Sequence, residues 1–249
     1  MFRKITDRIY YRPHDGKTDR PNVGLILGDK YTLLFDAGNS AANVALLRTE
    51  LAAQGLPEPD FVAVSHWHWD HTFGMHAWGV PTIAGRLTNE QLKVVQTWDW
   101  DDDSMKAREV NVEDINFCNV MIREEYPERS QIRVTTADIV FDERMTIDLG
   151  GITCELIHAA GPHAVDSVIC HVPSERFVFL GDSNGKNLYW RPWRYDRKTF
   201  NEEMARIPWD WDRVDAYLKL LDGLDFTRCI GGHADDMSRE ELFGGYEHR

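Results

Sequence analysis

The sequence predicts a mixed α/β fold in which two sheets are covered by outer helices. Two observations predict it. Short apolar runs of strand length occupy the middle of both halves of the chain, and segments of helical periodicity flank them.

The elements follow in order. Strands are expected at Val23–Leu27 and Thr32–Phe35, joined through the turn-like Gly28-Asp29-Lys30. The segment Asp36-Ala37-Gly38-Asn39-Ser40 ends the second strand and caps a helix, on which Val44, Leu47 and Leu51 share one face. Residues 61–64 read as a short buried strand. From 88 to 129 the pattern is helical and strongly charged, with apolar positions so sparse that a surface excursion is expected. Strand-like segments return at 132–135, 145–149, 152–157, 167–172 and 177–180. A helix over 211–221, a short strand at 228–230 and a small tail close the chain. The 249 residues show no long repeat and no low-complexity linker, and one domain is expected over 1–249.

Charge and cysteine usage narrow the function. Lys plus Arg total 28 against 41 Asp plus Glu, a formal charge of -13, which disfavours a phosphate backbone as partner. No apolar run follows Met1-Phe2-Arg3-Lys4 that could act as a signal peptide, and none is long enough to span a bilayer. The four cysteines, Cys118, Cys154, Cys170 and Cys229, have no C-x-x-C spacing and read as buried free thiols. The expectation is a cytoplasmic protein acting on a small molecule, without nucleic-acid or membrane partners. Its oligomeric state stays open, a homodimer included.

The chemistry resides in His66-Trp67-His68-Trp69-Asp70-His71. Three histidines and an aspartate within six residues are hard to explain as packing. They follow a buried strand, so they sit on the loop at its end, where sites are usually built. Alternation along an extended segment points His66 and His68 the same way, and Asp70 and His71 can then turn to a neighbouring position. Imidazole with carboxylate suits zinc first, then manganese or iron.

The hexapeptide resembles the hallmark of the metallo-β-lactamase superfamily, and further landmarks of that family follow the same order along the chain. They are Phe35-Asp36-Ala37-Gly38, the His163 motif Gly161-Pro162-His163-Ala164-Val165-Asp166-Ser167, the strand end Phe179-Leu180-Gly181-Asp182, and Gly231-Gly232-His233. The resemblance implies a four-layer αββα sandwich with two divalent metal ions at one edge. It implies His66, His68 and His163 on the first metal, Asp70, His71 and His233 on the second, and Asp182 bridging both. Asp70 and Asp182 would then also act in catalysis, Asp70 by orienting the nucleophile. Asp36 is expected to orient the histidine loop through hydrogen bonds rather than to ligate. The other histidines, His14, His76, His158, His171 and His248, read as structural or surface residues.

A metal ion lowers the pKa of bound water from 15.7 to about 7, which makes hydroxide available at neutral pH. The reaction expected is hydrolysis of a small ester, lactone or thioester. True β-lactamases of the family usually carry Cys or Ser where Asp182 stands, which disfavours a β-lactam. Glyoxalase-type thioesterases carry a helical segment after the last histidine, whereas 16 residues follow His233 here, a layout similar to the lactonases. The alternatives are a β-lactam or phosphodiester substrate, or mononuclear iron chemistry on a sulfur compound. Trp98, Trp100, Trp190 and Trp193 lie in segments that cover the site in this family. They read either as packing for those segments or as an aromatic rim for a hydrophobic substrate. Tyr189 and Tyr195 are candidate donors to a developing oxyanion.

Overall fold

Along Leu33-Leu34-Phe35 every side chain is buried, yet successive ones enter different cores: Leu33 and Phe35 face one cluster and Leu34 the other. Side chains alternate across a strand, so a continuous apolar run means a sheet covered on both faces. Phe177-Val178-Phe179-Leu180 repeats the pattern in the second half, with the phenylalanines facing one way and Val178 and Leu180 the other.

The computed structural model describes residues 1–246. In chain order the strands of the first half are β1 (Arg3–Lys4), β2 (Ile9–Arg12), β3 (Val23–Leu27), β4 (Thr32–Phe35), β5 (Phe61–Ala63), β6 (Thr82–Gly85) and β7 (Ile139–Phe141), and they form one sheet in that order. The second sheet contains β8 (Arg144–Asp148), β9 (Thr153–His158), β10 (Val168–Val172), β11 (Phe177–Gly181), β12 (Arg228–Gly231) and β13 (Met237–Ser238), ordered β13-β12-β11-β10-β9-β8. Pairing is antiparallel from β1 to β4 and parallel from β4 to β7.

A central core joins the sheets, with Ile26, Phe35 and Ile83 meeting Leu156, Cys170 and Phe179. Outside the first sheet pack α1 (Ala41–Gln54), the short α3 (Met75–Trp78) and α4 (Arg86–Val95), and the single-turn α2 (Trp69–Thr72) precedes α3. Val44, Leu47 and Leu51 of α1 pack there as the spacing predicts, and Ser40 caps the helix by accepting from the Asn43 N–H. Outside the second sheet lie α8 (Trp211–Asp222) and α9 (Arg239–Gly244), reached after α5 (Asp102–Asn111), α6 (Asn116–Glu125) and α7 (Phe200–Arg206). The result is the expected αββα layering.

Two expectations are corrected. Residues 132–135 form no strand; the strand of that region is β7, further along. Their backbone bonds outside a ladder: the Ile132 N–H donates to Arg129 O, and Val134 O accepts from Gln96 Nε2. The charged excursion is also more than surface. Four of its apolar residues, Met105, Phe117, Met121 and Ile122, are buried together in a separate cluster against Trp69 and Phe73. The segments β1, β2, β6, β13 and α9 are too short or too mixed in pattern to read in advance.

Candidate metal centre

Strand ends carry the site. The loop after β5 holds His66 and His68, and α2 holds Asp70 and His71 within its single turn. His163 lies between β9 and β10, Asp182 directly follows β11, and His233 lies just beyond β12. All seven expected residues are brought together, in two groups: His66, His68 and His163, and Asp70, His71, Asp182 and His233.

In the first group, His68 Nδ1 lies 2.8 Å from His66 Nε2 and 3.0 Å from His163 Nε2. In the second, Asp70 Oδ2 lies 2.9 Å from His71 Nε2 and 3.0 Å from His233 Nε2. Asp182 Oδ2 stands between them, 3.5 Å from both His71 Nε2 and His233 Nε2 and 3.7 Å from His163 Nε2. His233 is the most exposed of the seven, whereas His66 and His71 are wholly buried.

These atoms fit a cation better than they fit one another. His163 Nδ1 donates to Lys186 O at 2.8 Å, which leaves its Nε2 as a bare lone pair facing the other imidazoles. His71 Nδ1 donates to Asp36 Oδ2 at 2.8 Å, and its Nε2 is buried with no well-formed hydrogen bond beside two carboxylates. A proton or a metal ion has to stand between that nitrogen and those oxygens. Burial holds the pKa of His66 and His68 well below the ordinary imidazole value, and His163 is lowered first by the same cause. Neutral imidazole is the ligating form. For Asp182, burial raises the pKa, but His233 and His71 outweigh it and keep the carboxylate ionised.

The supports come from all over the chain. Asp36 has a left-handed backbone, φ 71°, and its Oδ1 also accepts from the Ser65 N–H at 2.8 Å. Asp166 Oδ2 accepts from the Trp67 N–H at 2.9 Å and from Thr88 Oγ1 at 3.0 Å, pinning the histidine loop. Asn22 Nδ2 donates to Gly231 O and Ala234 O, both at 2.6 Å, and so brackets His233. Gly232 has to be glycine, because a Cβ there would lie 2.1 Å from Asp182 Oδ1.

A cavity of about 890 Å³ opens on this cluster, with His68, Asp70, His163, Asp182 and His233 in its wall. Asp19 also lines it, buried, with Oδ1 3.7 Å from His233 Nδ1. Sequence reasoning missed Asp19, Asn22 and Asp166. Asp19 sits in a polar loop whose proximity to the site arises only on folding, and Asp166 was visible only as part of the His163 motif.

The tryptophans resolve toward packing. Trp193 is buried against Phe117 and Phe200, Trp98 and Trp100 stack around the Arg108 guanidinium, and exposed Trp190 pairs with Arg191. None of the four lines the cavity; Tyr189 and Tyr195 do. The Tyr189 ring stacks on His68, and its hydroxyl donates to Asp114 Oδ1 at 3.2 Å, so that proton is committed away from the imidazole–carboxylate cluster. His14 also lines the cavity, with its ring 6.3 Å from that of His233. His171 is fixed between Glu155 and Asp225 O, and His158 is bonded to Val165 O. His248 falls outside the described residues. The four cysteines are free and buried.

The profile of the Metallo-beta-lactamase superfamily matches residues 16–210. No curated protein matches the chain. Among solved structures, a metallo-β-lactamase from Pontibacter korlensis is 18% identical, with a TM-score of 0.60 over 98% of this chain and 96% of that one. The DIM-1 metallo-β-lactamase gives 16% identity and a TM-score of 0.62 over 98% and 94%. A HARLDQ-motif mutant of the metallo-β-lactamase from Cronobacter sakazakii gives 16% and 0.62 over 98% and 82%. At such identities these likenesses speak for the fold alone. The family match and the layering agree: the chain belongs to the metallo-β-lactamase superfamily of metal-dependent hydrolases.

Proposed function

We propose that the protein is a binuclear hydrolase, with zinc as its metal, that cleaves a small-molecule ester, lactone or thioester. The observation that carries this reading is the position of Asp182 Oδ2, within 3.7 Å of nitrogens from both groups, where one carboxylate oxygen can serve two ions. When bound, the ions would supply an activated water and polarise the substrate oxygen. His66, His68 and His163 would hold one ion, and Asp70, His71 and His233 the other. Asp70 Oδ2 accepts from His233 Nε2 at 3.0 Å, and the carboxylate's remaining lone pairs would be available to orient a nucleophile. Asp36 and Lys186 O fix the tautomers of His71 and His163 and leave the correct nitrogen facing inward.

The cavity suits a small molecule in volume, and the chain's charge of -13 argues against a nucleic-acid partner. Four free buried thiols support a reducing compartment such as the cytoplasm. The test is metal content per chain, followed by turnover of lactones, thioesters, phosphodiesters and β-lactams. Two zinc ions per chain, with ester or lactone turnover that Asp182→Ala abolishes, would support the reading. One iron per chain with oxygen uptake would overturn it, as would turnover confined to β-lactams.

A further inference from the structure

The cavity has two unlike ends. One is the cluster of imidazoles and carboxylates. Away from it the cavity runs between α6 with its leading turn and the chain that follows Asp182, and the wall becomes apolar: Phe117, Met121, Leu188, Phe200 and Met204. Several polar groups on this side are already paired. Cys118 Sγ lies 3.5 Å from Tyr189 Oη, which itself bonds Asp114. Lys186 Nζ donates to Met204 O at 3.0 Å and sits over the Trp209 ring. A polar substrate group lodged there would lose its water and find few partners, whereas an alkyl chain loses nothing. The two methionines, flexible and polarisable, can fit a chain of varying shape.

We propose that the substrate carries a medium-length alkyl chain, which lies against Phe117, Met121, Leu188, Phe200 and Met204 while its ester, lactone or thioester carbonyl meets the metal-ligating cluster. This rests on the hydrolase reading above and specifies the substrate of the same site. The charged excursion 88–129 thereby gains a function, because its α6 supplies Phe117 and Met121 to the apolar wall.

The test is kcat/KM of the metal-loaded protein along p-nitrophenyl acetate, butyrate, hexanoate and octanoate, and along acetates of the matching alcohols. A buried methylene is worth ~0.8 kcal/mol, so full burial gives about fourfold per methylene until the lobe is full. Ala205 is an exposed residue of α7 in the same wall, and Ala205→Trp fills the lobe from outside without opening a void. It should lower the octanoate-to-acetate ratio of kcat/KM at least tenfold. Calorimetric binding of 1-octanol to the wild type, lost in Ala205→Trp, reads the lobe without any turnover. Hydrolysis that is flat along both series, together with no octanol binding, overturns the alkyl chain and leaves the hydrolase intact. Octanol binding with no ester, lactone or thioester turned over overturns the hydrolase reading, and the substrate assignment falls with it.

Discussion

Asp36 Oδ2 lies 2.8 Å from His71 Nδ1, and Asp36 reaches it from a left-handed backbone at the end of β4. A non-glycine residue in that region is uncommon and costs energy, and Asp and Asn bear it best. The strain is offset by two bonds at once, to His71 and to the Ser65 N–H, which bind the histidine loop to the neighbouring strand. Asp36→Asn keeps the backbone but offers one acceptor oxygen instead of two. Zinc affinity should fall 10- to 100-fold, as for other partners that orient a ligand, while the melting temperature changes little. Chelator competition measures it, and unchanged affinity would remove Asp36 from the site's support.

Gly232 leaves no room for a side chain beside Asp182, where a Cβ would lie 2.1 Å from Oδ1. A Cβ at this position would also stand 2.9 Å from His71 Cε1, so Gly232→Ala must displace a ligand. The expected result is a lower metal content per chain than the wild type's, with kcat/KM lowered roughly 100-fold, the usual cost of a misplacement near 1 Å. Metal analysis and kinetics on the same preparation decide it. Full occupancy would show that the loop can yield.

Glu125 holds distant segments together. Its buried carboxylate accepts from Thr18 Oγ1, from Arg20 Nε and an Arg20 terminal nitrogen, and from Ser40 Oγ, joining α6 to the Asp19 loop and to the start of α1. Glu125→Ala leaves the Arg20 guanidinium half-buried without its partner. Loss of about 3 kcal/mol is expected in urea unfolding, in the range for breaking a buried pair. A loss below 1 kcal/mol would mean that water replaces the carboxylate.

Burial pushes the Asp166 pKa from 3.8 to about 6 against the bonds from Thr88 and Trp67, and its Oδ1 is buried without a partner. Between pH 4 and 6 the folded state therefore keeps a proton that the unfolded chain has released. The sign follows: this group's contribution to stability falls as pH rises through that window, by at most about 3 kcal/mol. Asp166→Asn does not titrate. Its stability relative to the wild type should rise by that order from pH 4 to pH 7, whatever fixed offset the substitution adds. A pH-independent difference would refute the raised pKa.

Trp193→Ala should destabilise the fold by roughly 3 kcal/mol, because the ring is buried against Phe117 and Phe200. Trp190→Ala, on an exposed ring, should alter neither stability nor turnover. A changed substrate preference in Trp190→Ala would restore the aromatic rim as part of the site.

What could be read from the chain was local. Doubly buried strands announce themselves as unbroken apolar runs, which is why Thr32–Phe35 and Phe177–Gly181 were legible while the two-residue β1 and β13 were not. The hexapeptide announced a metal site because so many donors so close together have few other uses, and family landmarks supplied His163, Asp182 and His233. Tertiary structure alone decided the rest. It set Asp182 Oδ2 between two groups of nitrogens, brought Asp19 and Asn22 to His233 across more than two hundred residues, and turned a sparse charged excursion into the apolar wall of a cavity. The physical reason is the range of the forces involved. Periodicity records which face of one element is dry, whereas a site is a meeting of strand ends whose side chains share no local pattern, and only the packed sheets fix their separations.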